Sequence, residues 1–263
     1  MSKETYKQHF KKLENYINTK DQKEFRKKKE QIIEGFKTFD IKEDLKNLHR
    51  IMIHEYTKNT IYSDLNRWLK MFDTSIYEII AYFTARLMYA LNSHAKESNG
   101  FFEKKQTLFR GDKVNYFNLL PYERLKGKII ILPSFTSTSE ELSVAERFSK
   151  RKESEKLFSE QKRFSVIYKV ENYENENSIS SGIDIQKLSK YQKEKEILYQ
   201  PFSFYFVKNV NFSYEKYTVD IDLEILPKKE ILEEKIRIGK NIIYDNKSNI
   251  MTIEEDKKIH SFA

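Results

Sequence analysis

Apolar residues recur at two different spacings along this chain, and the change of spacing divides it. Within residues 1–39, Phe10, Leu13 and Ile17 fall on one helical stripe, and Ile32, Phe36 and Phe39 repeat the pattern amid dense charge. Residues 41–98 keep the helical period. Leu45, Leu48 and Ile51 or Met52 form a stripe, "TIYSDLNRWLKMF" reads as a helix with Trp68 in its core, and "SIYEIIAYFTARLMYALNSHA" predicts a long helix buried on more than one side. "ESNG" closes this half, with Gly100 as the helix terminator.

Beyond Gly100 the period shortens to that of strands. "TLFRG" (107–111) predicts a strand entering a turn, and "KIIILPSFTSTS" (128–139) a continuous buried strand. "EELSVAERFSKR" (140–151) returns to helix, with Ser139 or a neighbouring hydroxyl placed to cap it. Further strands are predicted over 163–170, 195–201, 202–213 and 217–226, where Val219, Ile221, Leu223 and Ile225 share one face. "NIIYDNKSNIMTI" (241–253) predicts a terminal hairpin. Helices followed by strands make an α+β chain.

Composition narrows the chemistry. The 263 residues suit one large domain, or one domain with an extension, and contain no cysteine, which excludes disulfides, thiolate metal sites and a cysteine nucleophile. No run of about 18 apolar residues occurs, so no membrane span is expected, and "MSKETYKQHFKKLENY" lacks the apolar core of a signal peptide. The net charge of +8 comes with lysines and glutamates interleaved almost everywhere, including the basic run Arg26–Glu30, and that pattern reads as a solvated surface. Nucleic acid is therefore not an expected partner. His9, His49, His54, His94 and His260 are scattered without ligand spacing, so no metal site is expected.

Four features of the strand half carry possible chemistry. Arg110 follows three strand-like residues and precedes Gly111; such an Arg can reach a phosphate, though alone it reads as a turn arginine. Ser137 and Ser139 share a face of "SFTSTS", which alone reads as a strand end capping a helix. Glu194 and Glu196 straddle Lys195. On a strand they would crowd two negative charges onto one face, which calls for cations or a function. Tyr191 stands three residues before Glu194.

Taken in order, Phe109-Arg110-Gly111, then Phe135-Thr136-Ser137-Thr138-Ser139, then "EKEILYQP" from Glu194 to Pro201 resemble the arginine-specific mono-ADP-ribosyltransferases of the Arg–Ser–Glu class, eukaryotic enzymes and bacterial exotoxins alike. The resemblance spans roughly residues 40–226 and extends to "HEYTKNTIYSDLNRWL" around Tyr56, Thr57, Tyr62 and Asn66, which are core residues by default. It implies an N-terminal helical lobe packed on a two-sheet β-sandwich core with an NAD cleft. The domains are then a charged helical extension (1–39), the catalytic domain (40–228, with helical lobe 40–100 and β core 105–228) and a C-terminal extension (229–263).

The resemblance also implies roles. Arg110 would hold the NAD pyrophosphate or adjoining ribose, Gly111 would admit backbone close to NAD, and Thr138 and Ser139 would complete the NAD-binding set. Ser137 would orient Glu196. Glu196 would bond the ribose 2′-hydroxyl and stabilise the oxocarbenium ion as nicotinamide leaves. Glu194 would orient or deprotonate an acceptor guanidinium, with Tyr191 beside the acceptor. Phe148 and Arg151 follow the Ser-Thr-Ser motif where some toxins contact nicotinamide and phosphate; on a helix, Phe148 reads better as core. "KESEKLFSEQK" (152–162) looks like an insertion. Gln200 stands where a proline often precedes Pro201. The partners implied are NAD and a protein with an accessible arginine. The absence of cysteine fits a cytoplasmic form, with a secreted effector or toxin as the other reading. The rival activities are NAD glycohydrolysis, nucleic-acid modification by the same fold, and non-catalytic binding of NAD or a partner.

Overall fold

The computed structural model describes residues 45–71, 77–98, 101–102, 106–150, 163–172, 182–226, 241–245 and 250–254. The expectations for residues 1–39, Gly100, Arg151, the insertion 152–162 and the side chain of Trp68 fall outside these. The described chain divides into two compact units. One runs to Ser98 and takes in Leu188–Lys190; the other holds the remainder.

The first unit contains α1 (Leu45–Tyr56), α2 (Asn59–Met71) and α3 (Tyr77–Ser98). Buried residues recur at helical spacing: Met52, Ile53 and Tyr56 on α1, Leu65 and Leu69 on α2, and Leu87, Ala90, Leu91 and Ala95 on α3. Over the described side chains of α3, Tyr89 is 60% exposed and the buried apolar residues keep to one stripe. No helix among the described residues is long and apolar enough to cross a membrane. Inside this unit Asn66 Nδ2 donates to the Tyr56 hydroxyl at 3.2 Å, and the Tyr56 and Tyr62 rings meet edge to face. The buried Thr57 and Tyr56 act as core, as expected by default.

The second unit is built on strands: β1 (Phe101–Phe102), β2 (Gln106–Asn115), β3 (Ile129–Leu132), β4 (Thr136–Ser139), β5 (Arg163–Asn172), β6 (Gly182–Asp184), β7 (Glu196–Tyr199), β8 (Ser203–Ser213), β9 (Thr218–Leu226), β10 (Asn241–Asp245) and β11 (Ile250–Glu254). Two helices, α4 (Leu120–Glu123) and α5 (Leu142–Ser149), lie between strands. The hydrogen-bonded order is β1-β6-β7-β4-β2-β5-β9-β8-β3-β11-β10. One residue pair, Phe109 with Ser139, joins its two parts. The parts share one apolar core: Ile197 and Tyr199 of β7 pack with Leu108, Tyr205, Val219, Ile221 and Leu223, and the Tyr199 and Tyr205 rings lie 6.0 Å apart, edge to face. The alternation expected for β9 holds, with Val219, Ile221, Leu223 and Ile225 all buried. β10 and β11 pair antiparallel, and β11 continues onto β3.

Two expectations change. The run 128–139 is not one strand. Pro133 lacks the N–H that a ladder needs, and the chain breaks there into β3 and β4, which are not sheet neighbours. Nor does β2 turn at Gly111; it pairs with β5 without interruption from Gln106 to Asn115.

Candidate active site

The three motifs meet where the two parts of the sheet join. Ser139 of β4 stands opposite Phe109 of β2 on one side and Glu196 of β7 on the other. Directly opposed residues project to the same face, and alternate residues of a strand share it. Ser137, Ser139, Glu196 and Leu198 therefore line one face of the β4–β7 pair, and Thr138, Ile197 and Tyr199 line the other, toward the core. Thr138 Oγ1 donates to the Ile197 carbonyl at 2.8 Å and fixes the two strands together. The hydroxyl in register with Glu196 belongs to Ser139; Ser137 opposes Leu198 and lies diagonal to the glutamate.

The two glutamates do not share a strand. Gln192–Glu194 form a single 3-10 turn, Lys195 takes the left-handed conformation (φ 45°, ψ 55°), and β7 begins at Glu196. Strand alternation therefore does not apply across Lys195, and the expected crowding of two carboxylates on one face is avoided by a change of backbone hand. A left-handed lysine is disfavoured by its Cβ, so the surroundings must hold the turn. The Ser139 hydroxyl donates to the Glu194 carbonyl at 2.7 Å and accepts the Glu141 N–H at 2.9 Å. It thus ties the glutamate turn to the entry of α5 and leaves the helix N-cap position, Glu141, without a side-chain cap. Lys195 Nζ pairs with Glu141 Oε1 at 2.5 Å, and that contact raises the lysine pKa above its ordinary value.

The carboxylates differ in environment. Glu196 is buried, 8% exposed, at the head of a strand with no exposed residue. Glu194 is half-buried, and its Oε1 accepts from Arg147 Nη2 of α5 at 2.5 Å. Burial raises the Glu194 pKa above the usual glutamate value, and the Arg147 guanidinium opposes that rise.

Arg110 is largely enclosed. Its Nη1 donates to the Ser137 carbonyl at 3.0 Å, and its Nη2 lies 3.9 Å from Asp112. The guanidinium therefore stitches β2 to β4 directly behind the serine motif. Across the ladder it opposes Tyr168, whose phenol is raised by burial, with the Arg110 charge pulling the other way. Gly111 faces α5. A Cβ there would come within 1.8 Å of the Ala145 carbonyl oxygen and 2.9 Å of the Ser149 nitrogen. Helix backbone thus occupies the space that the missing side chain leaves.

Phe148, expected in the core, is 46% exposed. The helix stripe that packs inward is Ala145 and Ser149, and Phe148 lies off it, with its ring 5.4 Å from the Arg147 guanidinium carbon. Tyr191 stands at the entry of the glutamate turn, and its carbonyl accepts the Glu194 N–H at 2.8 Å. Arg147, Glu141 and Lys195 were not singled out by sequence. Arg147 is one of 48 Lys and Arg residues, and only the path of the chain brings it to Glu194. No group of three His, Cys, Asp or Glu among the described residues could hold a metal ion.

The family model described as NAD:arginine ADP-ribosyltransferase matches residues 2–230. The chain belongs to this family. It is an NAD-dependent ADP-ribosyltransferase, with NAD as the donor substrate. No curated protein matches it in sequence. Among solved structures, Vis toxin, an ADP-ribosyltransferase from Vibrio splendidus, is 19% identical with a TM-score of 0.55, over 97% of this chain and 96% of that one. The same toxin in complex with agmatine is 20% identical at a TM-score of 0.55, over 92% of this chain and 100% of that one. At this identity the likeness is one of fold.

Proposed function

We propose that this transferase moves a single ADP-ribose from NAD onto arginine side chains of a target protein, releasing nicotinamide. The observation that carries the reading is the state of Glu194. Set off the strand by Lys195, it presents its carboxylate to a guanidinium, that of Arg147. Burial leaves this carboxylate a stronger base than an exposed one, which suits a group that must take a proton from an attacking nitrogen. The agmatine complex of the similarly folded Vis toxin agrees with a guanidinium acceptor.

In this reading Glu196 bonds the ribose 2′-hydroxyl and stabilises the positive charge that develops as the bond to nicotinamide breaks. Ser137, diagonal to Glu196, orients it. Arg110 supports the pyrophosphate end, and Gly111, Thr138 and Ser139 hold α5, β7 and the glutamate turn in place beside it. Arg110 does this from a guanidinium already anchored on the Ser137 carbonyl, so donor site and serine motif move as one body. Glu194 and Tyr191 receive the acceptor. NAD glycohydrolysis is the second reading, and the Arg147–Glu194 pair favours it: while that pair persists, water has access to the donor without competition from an outside arginine.

The test is NAD consumption with and without agmatine, a small arginine mimic, by the parent chain and by Glu194→Gln and Glu196→Gln. Arginine transfer predicts that agmatine is labelled, that Glu196→Gln loses both nicotinamide release and labelling, and that Glu194→Gln loses mainly the labelling. Nicotinamide release without agmatine labelling makes the enzyme a glycohydrolase.

A further inference from the structure

We propose that the end of the second unit around Phe164 is a docking surface for an anionic lipid bilayer, through which the chain associates with a membrane without crossing it. This surface is separate from the glutamate turn and does not rest on the acceptor reading above.

The local path of the chain builds it. β2 ends at Asn115, and a 3-10 turn (Tyr116–Asn118) leads directly into α4, with Pro121 in its first turn. Along this short path Leu119, Tyr122 and Leu125 enter the core, while Phe117 and Leu120 stay outside, 65% and 56% exposed. Beside them the fully buried Phe164 ring carries three tyrosines: Tyr116 at 6.1 Å, Tyr214 at 5.9 Å and Tyr217 at 5.5 Å between ring centres. Tyr116 also meets Phe117 edge to face. Four of the seven exposed large apolar side chains among the described residues lie here: Tyr116, Phe117, Leu120 and Tyr214. Singly they would need no explanation; gathered, they mark an interaction surface.

Charge selects the occupant. Arg124, Lys126, Arg163 and Lys216, in the same segments, are exposed, and none has a carboxylate partner among the described residues. Of the two acids there, Glu123 accepts the Tyr214 hydroxyl at 2.7 Å, and Glu215 is the other. Exposed Phe and Leu beside tyrosines and unpaired cations suit an anionic bilayer: apolar side chains enter the acyl boundary, phenols lie at headgroup level and cations meet phosphates. A nucleic acid would also attract the cations, but it stacks on open ring faces. Here Tyr214 is stacked on Phe212 at 15° between planes, and Tyr116 lies tilted against Phe164. Leu120 offers no ring, and leaving water for hydrocarbon is what favours its burial. Tyr116 lies six residues beyond Arg110, roughly 20 Å along an extended strand, so docking leaves the three motifs clear.

The test is cosedimentation of the full chain with vesicles of phosphatidylcholine alone and of phosphatidylcholine rich in phosphatidylserine, at low and high salt. The chain should sediment with the anionic vesicles at low salt, less at high salt, and not with the neutral ones. Phe117→Ser combined with Leu120→Ser should weaken that binding about tenfold or more. Arg124→Glu combined with Lys216→Glu should weaken it as well, whereas Tyr89→Ser, which removes an exposed aromatic of α3, should bind as the parent does. Nicotinamide release in vesicle-free solution, equal to the parent's, reports that each variant is folded. A parent that stays in solution with anionic vesicles overturns the proposal, and a dimer that the Phe117/Leu120 variant splits would then assign the surface to a second copy of the chain. Vesicle binding that this double variant retains overturns the assignment to this surface.

Discussion

Glu194 shows how one side chain can be tuned by opposing effects. Burial disfavours its charged form and raises its pKa, whereas Arg147 favours the charged form and lowers it, and burial is the larger effect. A base must be ionised to accept a proton, so in the proposed reaction transfer to arginine should fall away on the acid side at a higher pH than an ordinary glutamate would set. Replacing Arg147 by alanine removes that opposing influence. The acid limb of agmatine labelling should then move further up in pH, while the acid limb of NAD hydrolysis, which does not need Glu194 as base, should move less. Paired pH profiles of the two reactions check this. An acid limb of labelling that stays put or moves down would mean that Glu194 is not the group titrating. The same sign applies to stability: a carboxyl whose folded pKa is raised opposes folding as pH climbs through that pKa. Function and stability therefore pull against each other at this residue.

At the scale of elements, the packing of α5 on β2 sets the geometry. A methyl at Gly111 would overlap the Ala145 carbonyl oxygen, and the obstacle is helix backbone, which cannot rotate away. Gly111→Ala should push α5 outward, cost about 1–3 kcal/mol, lower the melting temperature and loosen the Arg147–Glu194 pair. A thermal melt with the parent's midpoint would show that the helix shifts freely. Most elements were legible in sequence because alternation writes burial directly, as in β9, where every second residue is buried. What was not legible are the places where a backbone departs from its own pattern. Pro133 divides an unbroken apolar run. Gly111 reads as a turn residue, yet it continues a ten-residue strand and serves a helix that follows it in the chain. The left-handed Lys195 separates two glutamates that alternation would place together. Pro133 is a local signal that an apolar run masks, whereas Gly111 and Lys195 depend on distant partners that local spacing does not encode.

At the scale of the whole chain, the ordered motifs indicated the family, but neither the joining of the sheet through Phe109 and Ser139 nor the membership of residues 188–190 could be read from them. Leu188–Lys190 group with the helices, while the residues before and after belong with the strands. Two bonds account for this. Thr57 Oγ1 accepts the Lys190 N–H at 2.9 Å while donating to the His54 carbonyl at 2.7 Å. His54 Nδ1 lies 2.9 Å from the Leu188 carbonyl, and since a carbonyl can only accept, that nitrogen carries the proton. The segment ends one residue before Tyr191, where the turn bearing Glu194 begins. Thr57→Val keeps the volume of a buried residue and removes its hydroxyl, so the Lys190 N–H loses its acceptor. A neutral hydrogen bond of this kind contributes about 1 kcal/mol, which corresponds to an opening equilibrium for the strap raised roughly fivefold. Amide hydrogen exchange at Lys190 should accelerate by that factor in Thr57→Val, while amides in β9 keep the parent's protection. Unchanged exchange at Lys190 would mean that other contacts, the His54 bond among them, hold the strap; acceleration throughout β9 would mean that the substitution destabilises the fold instead of releasing the segment. Acceleration at Lys190 alone would make the strap adjustable from α1 through Thr57.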